Sequence, residues 1–257
     1  MIKQFIYLIF LVGYFSFSQT TSVAEYVYVN KIINYKSKGV LKFTSNHSNY
    51  TLLKSEALSE EERTLDENGN VQINLPDSDD RPEYYLNREL NIFLNKVYGF
   101  RQVYILEEEI PNIDWKIEQE FKNLNTITCQ KATGYFRGRT YIVWFANDIP
   151  VPYGPWKLQG LPGLIVEATD DEDLILFRLS KYSTQNQGEN IQIPVGTKKM
   201  SLKEFVTKEK PEKQKEFFAY VSSLNTDRNT TIVSSTYTEP PRLELIYEWE
   251  ENDLKKE

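Results

Sequence analysis

Two side chains occur once each in this 257-residue chain, His47 and Cys129. They set the first limits on its chemistry. A Ser-His-Asp or Cys-His relay needs an imidazole held by a third group. His47 stands instead in Ser45-Asn46-His47-Ser48-Asn49, a polar run that reads as an exposed turn. One histidine also makes a histidine-based zinc site a poor reading. Cys129 lies between Thr126-Ile127-Thr128 and Gln130-Lys131-Ala132, a strand-like alternation in which a lone thiol is buried and inert.

Carboxylates are plentiful, at Glu60 to Glu62, at Asp77 with Asp79 and Asp80, at Glu107 to Glu109 and from Asp170 to Asp173. Glycosidase-type chemistry needs two acids facing one cleft. No spacing here selects a pair, so each cluster reads as a solvated turn or strand end. Asp77-Ser78-Asp79-Asp80 offers oxygen ligands for calcium but lacks the glycine and distal glutamate of an EF-hand loop. Phosphate-cradling glycine loops and dinucleotide fingerprints are absent. Arg137 and Arg139 flank Gly138, and two guanidinium groups at a hairpin tip can grip a carboxylate or phosphate. A tip is also where solvated charge collects, and that reading is taken. No catalytic residue, metal ligand or cofactor is assigned.

Such residues must be positioned by strands. Ala24–Val29, Val40–Phe43, Tyr50–Leu53, Val71–Leu75, Leu90–Val97, Gln102–Leu106, Trp115–Glu118, Ile127–Phe136, Thr140–Ala146, Leu164–Ala168, Leu174–Leu179 and Leu243–Trp249 are rich in β-branched and aromatic residues or alternate with period two. Hairpins are expected at Ser45–Asn49, at Tyr98-Gly99 and at Arg137-Gly138-Arg139. One helical region interrupts them. Ser201-Leu202-Lys203-Glu204 is a capping box, and Pro211 forces a break or a restart, with Pro211-Glu212 able to open a second helix that has Phe217, Phe218, Tyr220, Val221 and Leu224 on its apolar face. The expected fold is mainly β, a curved antiparallel meander sheet or half-barrel with a C-terminal helical pair.

The N-terminus carries Lys3, the apolar run Phe5 to Val12 and small residues up to Gln19, the pattern of a secretory signal peptide over residues 1–18. The rest, 19–257, reads as one β-rich domain, with 55–90 a flexible excursion. Export to the periplasm, cell surface or medium follows, with no transmembrane segment after cleavage. The net charge of −7 and the lack of a basic patch argue against nucleic acid as a partner. Tyrosine, at 17 copies, suits half-buried sheet faces.

The stretch Pro150 to Ala168, PVPYGPWKLQGLPGLIVEA, concentrates backbone constraint around one tryptophan. Trp156 and Leu158, alternating with Lys157 and Gln159, read as a short half-buried strand. Leu161-Pro162-Gly163-Leu164 fits a type II turn, proline fixing φ and glycine accepting a positive one. This structural corner has a functional alternative, in which Tyr153, Trp156, Gly160, Leu161, Pro162 and Gly163 form the lip of a binding groove.

The hexapeptide Gly160-Leu161-Pro162-Gly163-Leu164-Ile165 resembles the motif that names the GLPGLI family of exported Bacteroidetes-type proteins. Gly134-Tyr135-Phe136-Arg137-Gly138-Arg139, Trp144-Phe145, Asp148-Ile149-Pro150 and Gly154-Pro155-Trp156-Lys157-Leu158 extend the resemblance over residues 134–168. The resemblance implies export and a fold, with no assigned activity and no catalytic residue. The expected function is a non-enzymatic binding or assembly module that takes an envelope protein or hydrophobic ligand on an aromatic-rich sheet face. A carboxylate-based hydrolase and a purely structural subunit are the alternatives.

Overall fold

Period-two alternation builds the sheet. In Arg139–Ala146 the odd residues Tyr141, Val143 and Phe145 are fully buried in one core, and even-numbered Trp144 packs in a separate cluster with Cys129, Ala146 and Val166. A computed structural model describes residues 20–33, 35–53, 81–124, 126–185, 191–224 and 243–254. The expected signal peptide, the strand expected at 71–75, the tract at 77–80 and most of the expected excursion after Leu53 lie outside these residues.

Among the described residues, twelve strands form one sheet: β1 (Thr21–Asn30), β2 (Tyr35–Phe43), β3 (His47–Leu52), β4 (Glu83–Asn87), β5 (Ile92–Gly99), β6 (Gln102–Glu109), β7 (Lys116–Leu124), β8 (Ile127–Phe136), β9 (Arg139–Ala146), β10 (Leu164–Asp170), β11 (Ile175–Gln185) and β12 (Lys198–Ser201). Their spatial order is β12-β6-β5-β4-β3-β2-β1-β11-β10-β9-β8-β7. Every pairing is antiparallel except β12 on β6, so the expected meander is present with one parallel edge strand.

Connectivity dictates the curvature. The six residues Ile110 to Trp115 join β6, second in the sheet, to β7 at its far edge. In a flat sheet those strands would stand ten spacings, roughly 48 Å, apart. Six residues reach at most roughly 25 Å. The sheet is therefore curled until its ends approach, a half-barrel with no hydrogen-bonded closure.

The concave face is filled by two parts of the chain. The first is the strap 149–163, which puts Tyr153, Trp156, Leu158 and Leu161 into the main core. The second is helical. Ser201 Oγ accepts from Glu204 N (3.2 Å), the expected cap of α1 (Leu202–Glu204). Leu202 and Phe205 pack with Tyr104, and the Tyr104 and Phe205 rings lie 5.0 Å apart. Of the break or restart expected at Pro211, the chain takes the restart without a break. A π-turn over Phe205–Glu209 gives way to α2 (Lys210–Leu224), with Lys210 N donating to Phe205 O. Pro211 thus falls in the first turn of α2, directly after the π-turn.

The strand expected at Leu243–Trp249 is also corrected. Leu245 N (2.9 Å) and Ile246 N (3.3 Å) donate to one turn carbonyl, Arg137 O, and join no ladder. Glu248–Leu254 then forms α3, whose first turn holds Glu248, Glu250 and Glu251, favourable at a helix N-terminus. Tyr247 N donates to Glu250 Oε2 (2.9 Å) and caps it.

Among the described residues, no helix is long and apolar enough to cross a membrane.

A buried cationic niche as the candidate functional site

The β8–β9 hairpin closes on Arg137 (φ 47°) and Gly138 (φ 87°), the two left-handed residues of a type I′ turn. A β-carbon on Gly138 would stand 2.7 Å from Leu245 Cβ, so glycine serves both the turn and the close approach of the C-terminal segment. The expectation of a solvated tip fails here. Arg137 is 5% and Arg139 7% exposed, because the sheet curls the tip inward against β6 and the C-terminal segment.

Lys157 reaches the same place by an unusual backbone. Trp156 has φ 56°, a left-handed conformation rare for a large aromatic. It lets Trp156, Lys157, Leu158 and Gln159 all be buried in succession, which no alternating strand can do. The short strand expected there is therefore a turn. Lys157, fully buried, donates from Nζ to Glu108 Oε1 (2.5 Å) and Glu244 Oε1 (2.8 Å). Arg137 pairs with the same two carboxylates through Nη2 and Nη1, and its Nε meets Glu248 Oε1 at 2.9 Å.

Aromatic rings wall the cations. Lys157 Nζ is 5.4 Å from the Phe93 ring centre, and the Arg137 guanidinium is 5.1 Å from Phe136 and 5.3 Å from Tyr247. Burial pushes the Glu244 carboxyl up, but Lys157 and Arg137 outweigh it and hold it below the ordinary glutamate value. Burial opposes the Arg137 charge, and Glu244 and Glu108 overcome it, so its pKa is raised further. The arrangement holds the Glu244 carboxylate ionised between two cations.

A second ion pair supports the hairpin from the other side. Arg139 Nη1 meets Asp170 Oδ2 at 2.7 Å, and Asp170 Oδ1 accepts from Leu174 N and Ile175 N (2.7 and 2.8 Å). Asp170 is 2% exposed, so the first member of the acidic run 170–173 is a buried cap on the β10–β11 turn.

The six residues expected at a groove lip divide. Tyr153 (1%), Trp156 (5%) and Leu161 (1%) are core side chains, and Gly163 is buried, whereas Gly160 and Pro162 are exposed. Tyr153 Oη donates to Ser45 O (3.0 Å) and ties the strap to the β2–β3 turn. Arg88 Nη2 donates to Pro152 O (3.0 Å) and Trp115 Nε1 to Gln159 O (2.8 Å), so carbonyls of the proline-rich strap find side-chain donors. The type II turn is corrected. Gly160 carries the positive φ (99°), Gly163 does not, and Leu164 N donates to Ile149 O (2.9 Å).

Other readings shift as well. His47 opens β3, half-buried and stacked on Tyr85 at 6.2 Å. The β5–β6 turn is Phe100-Arg101, with Arg101 at φ 58°. Cys129 is buried, and burial pushes its thiol up to about 11. Glu108, Glu244 and Lys157 were missed as a site. Their signal was faint: Glu108 shares the parity of the core residues Tyr104 and Leu106, and Lys157 lies between two apolar residues.

A family described as "Protein of unknown function (Porph_ging)" matches residues 137–167, the span from Arg137 through Lys157 to Glu167. The solved structure of PNGF-II in a C2 crystal is similar at TM-score 0.48 and 13% identity, over 73% of this chain and 32% of that one. Its P21 crystal form gives 0.46 and 13%, over 68% and 29%. This chain thus spans about a third of the length of either. No curated protein matches it.

Proposed function

We propose that the protein is an exported, non-enzymatic binding or assembly module of the GLPGLI type. One observation carries this reading: Arg137 and Lys157, both buried, converge on Glu108 and Glu244 and hold the Glu244 carboxyl below the ordinary glutamate value. General acid catalysis needs the opposite, a carboxyl kept protonated near neutral pH. The concave face is filled by the strap, so recognition falls to the clasp where Phe93, Phe136 and Tyr247 surround the two cations. The hydrolase alternative draws on Glu108 and Glu244 side by side on Lys157, but each faces two cations.

The test is crosslinking of the full chain in its native envelope with mass spectrometry, beside a screen for turnover of glycosidic, ester and peptide substrates. A reproducible partner without turnover is the expected result. Turnover that falls in Glu108→Gln would overturn the reading.

A further inference from the structure

The niche is completed by a segment that behaves as a bound peptide. Residues Leu243 to Tyr247 have no regular secondary structure. Three kinds of contact fix them. Leu245 N and Ile246 N donate to Arg137 O, Glu244 enters between Lys157 and Arg137, and Tyr247 (6% exposed) lies against Arg137 and packs with Tyr104 and Leu202. A main-chain anchor, a carboxylate in a cationic fork and an aromatic in a pocket are the contacts by which domains capture peptides.

Charge makes this occupant necessary. Without Glu244, two buried cations would face one buried carboxylate, Glu108, since Glu248 is 55% exposed and meets only the Arg137 Nε. An uncompensated buried charge is costly, so the niche requires an incoming anion. Apolar contacts add to this: Tyr247 is buried, Leu243 packs on the main core and Trp249 on the Tyr104 cluster, while Leu245 is 48% exposed and the Trp249 indole N–H is buried without an acceptor. A segment anchored through a few side chains and otherwise partly exposed can be exchanged for another of the same pattern.

We propose that the Arg137–Lys157 niche is a receptor for an acidic peptide segment with an aromatic residue three positions after the carboxylate, and that Glu244 to Tyr247 fill it in cis. The inference rests on the binding-module reading and names its ligand class. The cis segment competes with any segment offered by a partner protein.

The probe is a fluorescein-labelled peptide of sequence 243–254, titrated by anisotropy against the full chain and its Glu244→Ala/Tyr247→Ala variant. A receptor masked by its own segment binds with an affinity reduced by the occupied fraction. The variant is expected to bind the peptide about tenfold tighter than the parent chain. A peptide with glutamine in place of the glutamate at 244 should lose that gain. A folded variant, checked by circular dichroism, that ignores the peptide or binds the glutamine form equally well would overturn the inference. Should the variant not fold, hydrogen exchange on the parent chain decides. Excess peptide must speed exchange at Leu245 and Ile246, and unchanged exchange at saturating peptide would overturn the proposal. Failure of the peptide while a crosslinked partner persists sinks this inference alone, whereas turnover sinks the module reading beneath it.

Discussion

Gly163 and Ala146 meet through their backbones: a β-carbon on Gly163 would stand 2.1 Å from the Ala146 carbonyl oxygen. This glycine is required by contact, whereas Gly160, with φ 99° and its nearest atoms 3.8 Å away, is required by conformation. Gly163→Ala should therefore cost about 2–3 kcal/mol by forcing two strand ends apart. Gly160→Ala should cost about 1 kcal/mol. Urea denaturation of both variants checks the order, and a milder effect at Gly163 would refute the contact argument.

Removing either side of the niche should be severe, and removing both should cost less than the sum of the two. Lys157→Met leaves Glu108 and Glu244 with Arg137 alone, a loss of about 3–5 kcal/mol for a broken buried pair. Glu244→Gln strands the cations in turn. In the double variant the two losses should fall short of their sum by about 1–3 kcal/mol. Simple additivity in a double-mutant cycle would mean that the two groups do not interact in solution.

Acid should release the C-terminal segment before the sheet. The folded Glu244 pKa lies below the unfolded value of about 4.3. A depressed carboxyl contributes stability that is fully present above the unfolded pKa and lost as pH falls through the folded one. Docking of Tyr247 should thus hold from neutral pH down to the ordinary glutamate range and weaken below it. Fluorescence of Trp249, stacked on Tyr247 at 4.6 Å, reports it. A change centred above pH 6 would assign the event to another group.

Cys129 should resist thiol reagents in the native protein. With its thiol pushed up to about 11 by burial, almost no thiolate exists at pH 8. Labelling by an aromatic disulfide reagent should appear only on unfolding. Prompt reaction of the native chain would show that the β7–β8 edge opens freely.

The sequence made strands legible where side chains obey period two. β8 and β9 are recovered with their turn, because Arg137-Gly138 is a two-residue loop flanked by alternating hydrophobics. It misled where burial depends on curvature. Arg137 sits at a hairpin tip, which a flat sheet would leave in water, and only the curling of β6 toward β8 brings Glu108 to it. Leu243 to Trp249 alternates like a strand, yet its amides go to a turn carbonyl. The site was invisible for the same reason, since its four charged members come from positions 108, 137, 157 and 244 and share no local pattern.

The strand order carries a kinetic consequence. β1 to β6 are neighbours in chain order, and so are β7 to β11, so each half assembles by local zippering. The hydrogen-bonded ladders of the two halves meet at one seam, Thr21↔Gln185 through Asn30↔Ile175, between partners far apart in the chain. Pairings of such sequence separation form slowly, because loop closure must precede any gain. Pulse-labelled hydrogen exchange during refolding should protect β8–β9 amides early and β1–β11 amides last, and simultaneous protection would argue for one cooperative step. On this reading the first strand made spends the longest time with one edge unpaired, and the waiting interval of β1 sets the window in which a nascent chain is open to mispairing.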